Sequence, residues 1–323
     1  MLPEPEVLAE FAPTDRISTT ARPVPAFRDE LRRIPNARNA FLVLALYAQT
    51  IGIIVAAIWL DHPVAWLVAF LLMGRAHAQF AALMHEAAHR LLFRNRRLND
   101  WVGRWLLGFP AFTPIDLYRR GHMAHHRDEF GPDEPDIPLY RGYPIAADSF
   151  RRKLVRDATG RTGWKLFRGL LRGVISSDAA IRYQARAIVV VQLGLIATGI
   201  ALGHPWVYFV LRLAPYLTVW RVINRLRSIA EHGGMQRSKD RRLTTHSVRQ
   251  SALARFALVP FHIGWHLAHH VDAGVPMANL PRLHEELRRA GYVTAALEYP
   301  SYRALWRKLG SGTPTVSAAN LSD

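Results

Sequence analysis

The sequence predicts an all-α integral membrane protein: four transmembrane helices in two hairpins, with a cytoplasmic helical cap that carries three histidine boxes. Three observations lead there. The apolar residues are gathered into blocks, the first of which, 40–60, runs 21 residues without a charge, where a hydrocarbon core about 30 Å thick needs about 20. The turns within each pair of blocks, around Asp61 and His204, hold no Lys or Arg, whereas the long polar segments are rich in both. Finally, the 15 histidines are largely collected into three short motifs.

Residues 1–39 form a polar, proline-bearing cytoplasmic segment, without the basic region and following apolar region of a signal peptide. The first crossing, 40–60, meets the second, 63–84, at Asp61-His62-Pro63. Arg75 and His77 interrupt the second crossing. Because ionisable groups at membrane depth are costly, the preferred reading lets Arg75 snorkel to the headgroups. His77, two turns before His85, is read as a residue near the site and not as a ligand. After the first box come Arg90, Arg94, Arg96, Arg97 and Arg104. The stretch 101–117, broken by Gly103, Gly108, Pro110 and Pro114, reads as interfacial or re-entrant, with Trp101 and Trp105 at headgroup level. The second box follows, then an acidic turn over 128–136 and a basic, partly helical stretch over 141–186. The third and fourth crossings are 187–203 and 205–223, the latter interrupted by Arg212 and Arg221. Glu231-His232-Gly233-Gly234, a polar linker and the third box complete one membrane domain over 40–310. Residues 311–323 are expected to be a disordered tail.

Half the residues are hydrophobic and about a fifth are charged, unlike an ordinary soluble domain. With no cysteine, a disulfide framework, an iron–sulfur cluster or a thiolate site is excluded within this chain. Arginine supplies 38 of the 42 basic residues, and the formal charge is +17. These arginines are not gathered into one arm or helix, which argues against nucleic acid; they flank the apolar blocks. Segment 118–186 carries 14 Lys/Arg against 8 acids, and 224–323 carries 14 against 7. The positive-inside rule therefore turns both hairpin loops outward and leaves both termini and all three boxes on the cytoplasmic side. The arginine bias, abundant alanine and lack of cysteine point to a bacterial inner membrane.

His122, His125 and His126 stand at i, i+3 and i+4, so one helix face presents three imidazoles. His266, His269 and His270 repeat the pattern, and His85 and His89 make a shorter pair. One triplet can arise by chance in a histidine-rich chain; three boxes with His232 as a ninth histidine do not. Neutral imidazole suits iron, zinc, copper and nickel. A single zinc takes three or four ligands, whereas two ions with four or five each use the whole set. Iron is favoured, because an all-imidazole shell leaves positions open for dioxygen. Glu86 is read as an acceptor that orients a ligand. Asp128, Asp133, Asp136 and Asp272 are candidates for the same part, set against the commoner role of a solvated loop charge.

The boxes HEAAH, HMAHH and HLAHH, the EHGG element and the paired crossings resemble the membrane fatty acid desaturase and hydroxylase family over about residues 40–287. Gly131-Pro132-Asp133-Glu134-Pro135-Asp136 and the stretch from Val275 to His284 resemble it as well. The resemblance implies a di-iron centre held by His85, His89, His122, His125, His126, His232, His266, His269 and His270. It also implies O2 as co-substrate, a fatty acyl or lipid chain in a tunnel, and electrons from a separate ferredoxin or cytochrome b5-like protein and its reductase. The three-residue spacing in the first box matches the acyl-lipid and sphingolipid branches rather than the acyl-CoA desaturases.

Desaturation is the preferred outcome, and hydroxylation of a lipid or alkyl chain is the alternative within the family. Two other classes compete. HEAAH also matches the HExxH zinc-protease pattern, which would make the chain an intramembrane protease but uses two histidines and leaves seven. A non-enzymatic scaffold that stores metal or senses pH would show no oxygen consumption driven by NAD(P)H.

Overall fold

The computed structural model describes residues 1–4, 8, 10–132 and 134–312. Asp133 and most of the expected disordered tail lie outside these residues. The chain is mostly helical and divides into an apolar unit, Ile34–Arg120 with Val155–Asn224, and a polar unit, Met1–Arg33 with Gly121–Leu154 and Arg225–Asp323.

In the apolar unit, Asn36–Leu60, Pro63–Ala88 and Ala179–Ala201 are helices long and apolar enough to cross a membrane. The first two are joined at Asp61, whose carboxylate accepts from Trp66 Nε1 (3.2 Å), while His62 Nδ1 caps the second helix by accepting from the Val64 N–H (3.2 Å). Each helix buries one face. Ala57, Ala69, Met73, Val207 and Leu211 make one core, and Ala78, Phe109, Phe112, Ile188, Tyr216 and Trp220 belong to another. A Cβ on Gly74 would lie 2.3 Å from the Val219 side chain, so glycine allows that approach. The outer faces expose Phe41, Leu44, Ile51, Val55, Trp59, Val190 and Ile200. A helix satisfies its own backbone donors, so such a face suits hydrocarbon far better than water.

The expected fourth crossing is not one continuous helix. A π-helical turn over Phe209–Leu213 leads into Ala214–Leu217; Thr218 then leaves helical geometry (φ −119°, ψ −83°) before Val219–His232. Pro215 explains part of this, since it donates no hydrogen bond and its ring crowds the carbonyl four residues back. The two arginines in this stretch are held internally. The buried Arg212 guanidinium lies 4.9 Å above the Phe80 ring and donates to the Pro110 carbonyl. Arg221 lies over Tyr216 at 4.3 Å and donates to the Tyr216 carbonyl.

Arg75 also turns inward, contrary to the snorkelling reading. Its Nη1 donates to Gln49 Oε1 and Gln79 Oε1, both at 3.1 Å, and Gln49 Nε2 donates to Gln79 Oε1 at 2.7 Å. Two amides on neighbouring helices give the cation acceptors, which composition alone does not reveal. His77 is buried beside the Arg212 carbonyl (3.2 Å), between Phe112 and Tyr216.

In the polar unit, the N-terminal segment is fastened to the third-box region. Arg32 pairs with Asp272 (2.6 Å), Arg16 with Glu286 (3.1 Å), and Asn279 Nδ2 donates to the Leu31 carbonyl (2.7 Å). Helices His266–Val271 and Leu280–Arg289 pack against each other, and Tyr302–Leu309 lies against Glu298–Tyr299, which pairs in parallel with Ser247–Val248; Leu267, Leu283, Leu287 and Leu305 on these helices are buried.

Candidate metal centre

Seven of the nine histidines singled out by the sequence converge inside the polar unit. His122, His125 and His126 come from the end of helix Ile115–Arg127, His232 from the last position of Val219–His232, and His266, His269 and His270 from one face of His266–Val271. All are buried except His126, which is half-buried.

Six of them face one another through Nε2. His126 Nε2 lies 3.1 Å from His122 Nε2 and 3.0 Å from His269 Nε2; His266 Nε2 lies 3.1 Å from those of both His232 and His270. A ring nitrogen offers one proton or one lone pair, which serves only one of two neighbours. A cation serves all three, and donors about 2.1 Å from a shared ion, at right angles, stand about 3 Å apart. The spacing is therefore that of imidazoles arranged for metal. The donor nitrogens of His125, His232 and His270 fall within 4.8 Å of one another, as do those of His122, His126 and His269. The two sets adjoin, the His126 and His270 rings stacking with centroids 4.4 Å apart.

The opposite edges of three of the rings are held by oxygen acceptors, the arrangement that fixes a ligand's tautomer and direction. His125 Nδ1 donates to Glu134 (2.5 Å), His270 Nδ1 to Glu129 (2.5 Å) and His232 Nδ1 to the Thr244 carbonyl (2.9 Å), while Glu231 stands 3.7 Å from His266 Nδ1. Arg241 pairs with Glu129 and donates to the His126 carbonyl (3.2 Å), and Arg227 pairs with Glu231 (2.7 Å). Burial, aided by the neighbouring cations, holds His232, His266 and His270 well below the usual imidazole range, which keeps them neutral and able to ligate. Burial opposes the cation on His125 too, but Glu134 outweighs it and raises that group. Burial likewise raises Glu129, Glu231 and Asp136.

Among the acids read from sequence, Asp272 pairs with Arg32 and accepts the Gly274 N–H (2.9 Å), Asp128 pairs with Arg237 (2.8 Å), and Glu86 is buried at the end of its helix. The carboxylates on the rings are others: Glu129, Glu134 and Glu231. Glu129 follows His126 by three residues and Glu231 immediately precedes His232, so proximity in sequence was an available signal.

His85 and His89 lie in the apolar unit, where helix Pro63–Ala88 ends, their ring centroids 4.6 Å apart. That helix end is pinned. Asn99 Nδ2 donates to the Ala87 carbonyl (2.9 Å), and Arg119 donates to those of Ala88 (2.9 Å) and Ala87 (3.0 Å) while pairing with Asp100 (2.6 Å). Arg119 thus satisfies the carbonyls that every helix end leaves without a partner.

The chain is 24% identical over 307 residues to the dihydrorhizobitoxine desaturase of Bradyrhizobium elkanii, covering 88% of this chain and 84% of that protein. It is 27% identical over 124 residues to the sn-1 oleoyl-lipid 12-desaturase of Arthrospira platensis, covering 35% and 34% respectively. Over 82 residues it is 37% identical to the Delta(5) fatty acid desaturase fat-4 of Caenorhabditis elegans, covering 24% of this chain and 17% of the relative. The model of the fatty acid desaturase family matches residues 59–306, from the end of the first apolar helix through the third box, and the chain belongs to that family.

Proposed function

We propose that this protein is an O2-dependent di-iron oxidase of the membrane that introduces a double bond into a fatty acyl or lipid chain. The observation that carries the reading is the convergence of seven imidazoles, six of them Nε2 to Nε2, in two adjoining sets. A single zinc would leave most of them without a purpose, which weighs against the protease; a scaffold would not need the His125, His232 and His270 rings each aimed by an acceptor.

The nine proposed ligands are His85, His89, His122, His125, His126, His232, His266, His269 and His270. His122, His126 and His269 belong to one ion, and His125, His232, His266 and His270 to the other. The first box supplies His85 and His89, which brings the smaller set to five. Bound iron would supply the change of oxidation state and the activation of O2 that cleavage of an unactivated C–H bond demands. Glu129, Glu134 and the Thr244 carbonyl hold the rings in the Nδ1–H tautomer, so each Nε2 lone pair points inward. The electrons come from a separate carrier, a ferredoxin or cytochrome b5-like protein with its reductase.

The membrane reading adds a fourth crossing to the three long helices, formed by the bent segment 205–223, with the boxes and both termini on the cytoplasmic face of a bacterial inner membrane. Desaturation is preferred over hydroxylation because all three relatives are named as desaturases.

The decisive experiment is metal content of the purified chain, beside lipid analysis of cells with and without it. Two irons per chain and a new double bond are expected. One zinc per chain would favour the protease, and a hydroxylated lipid the alternative outcome.

A further inference from the structure

The apolar unit holds a second feature that the redox site does not use. At the polar end of helix Ala179–Ala201, a groove of about 350 Å³ is lined by Trp105, Arg182, Tyr183, Arg186, Ala187 and Val190. On this helix Arg182 and Arg186 stand one turn apart, and Val190 lies one turn further along, about 6 Å towards the apolar end. We infer that this groove binds an anionic phospholipid of the surrounding bilayer, its phosphate between Arg182 and Arg186 and its acyl chain along Val190.

The charge is available for such a ligand. Arg182 uses Nη1 on the carbonyls of Ser176 (2.6 Å) and Ser177 (3.1 Å), and Arg186 uses Nε on that of Val174 (3.1 Å). These contacts fix both side chains and leave donors of each guanidinium over. Among the described residues, no carboxylate lies within ion-pair distance of either. The nearest acid on the helix, Asp178, is committed to its N-terminus, accepting from the N–H groups of Ala180 (2.7 Å) and Ile181 (3.1 Å). Two positioned guanidiniums match a phosphate in charge and hydrogen-bonding geometry.

The remaining lining suits the rest of a lipid. Trp105 and the exposed Tyr183 are the residue types that settle at headgroup depth. Val190, Leu193 and Ile200 are exposed along the same helix, a hydrocarbon surface for an acyl chain. Basic pockets beside membrane helices on the cytoplasmic side hold anionic headgroups in this way.

The inference rests on the membrane reading, so fractionation comes first: recovery of the chain in the soluble fraction would overturn that reading and this site with it. The chain is then placed in nanodiscs of phosphatidylglycerol and phosphatidylcholine, partly delipidated, and the retained lipids counted by native mass spectrometry. Phosphatidylglycerol should be retained preferentially, with about fivefold of preference lost for each arginine removed, as expected for a basic residue at a charged surface. Arg182→Gln with Arg186→Gln should return the retained lipids to the bulk ratio. Val190→Glu, at an exposed position one turn from Arg186, should do the same by repelling the phosphate and competing for the Arg186 donors. No preference in the wild type, or an undiminished one in Val190→Glu, would overturn the inference. Displacement of the retained lipid by millimolar inorganic phosphate would also overturn it, by showing a simple anion site.

Discussion

His232 Nε2 lies 3.1 Å from His266 Nε2 although 34 residues separate them, and His232 Nδ1 is tied to the Thr244 carbonyl at 2.9 Å. This solitary histidine, outside every box, therefore faces the third box. Capping of the helix end falls instead to His246, whose Nε2 donates to the Gly233 carbonyl at 2.8 Å.

His232→Ala removes one of the four proposed ligands from its set. The variant should hold one iron tightly and the other weakly, with turnover nearly lost. Iron per chain, measured beside oxygen-dependent turnover, decides: two tightly held irons and normal activity would remove His232 from the ligand set.

His125→Ala and His269→Ala should each abolish product formation while leaving membrane insertion unchanged, because apolar helices and not metal govern insertion. Membrane recovery and lipid analysis read the two effects separately. Full activity in either variant would break the assignment.

Glu129→Gln keeps the size of the side chain but weakens the acceptor for His270 Nδ1 and removes the charge that pairs with Arg241. Losses of metal-ligand orientation of this kind cost roughly 10- to 100-fold in metal affinity or activity. Competition with a chelator should show the loss in affinity; an unchanged affinity would make Glu129 a structural ion pair only.

His246 predicts an acid weakness. Burial pushes it down to about 4, against about 6.5 in an unfolded chain. Between those values the unfolded chain binds a proton that the folded one does not, so stability falls as pH drops from about 6.5 to about 4, by about 3 kcal/mol in all. His246→Gln retains a donor for Gly233 and cannot titrate. The difference in thermal midpoint between wild type and variant should therefore change across that window and stay flat above it; a constant difference would refute the assignment.

A reporter fused after Asp323 and another inserted near Arg161 should both report cytoplasm. An outward location for either would break the proposed four-crossing topology, and with it the proposal that the boxes share one face.

Much of this protein can be read along the chain because its signals are local. An uncharged run such as 40–60 is helical by necessity in a bilayer, and the i, i+3, i+4 spacing of His122, His125 and His126 puts three imidazoles on one face through helix geometry alone. Family membership followed from the same boxes. The tertiary structure decided what depends on distant partners. Arg75 found its acceptors in Gln49 and Gln79; the fourth apolar block bent around Pro215 and Thr218. Glu129 and Glu134, rather than the acids first weighed, came to lie against the His270 and His125 rings. Sequence fixes which groups are present and their local direction. Glu134 is only nine residues from the His125 ring it meets, but Glu129 is 141 residues from His270, and only packing brings such distant segments together.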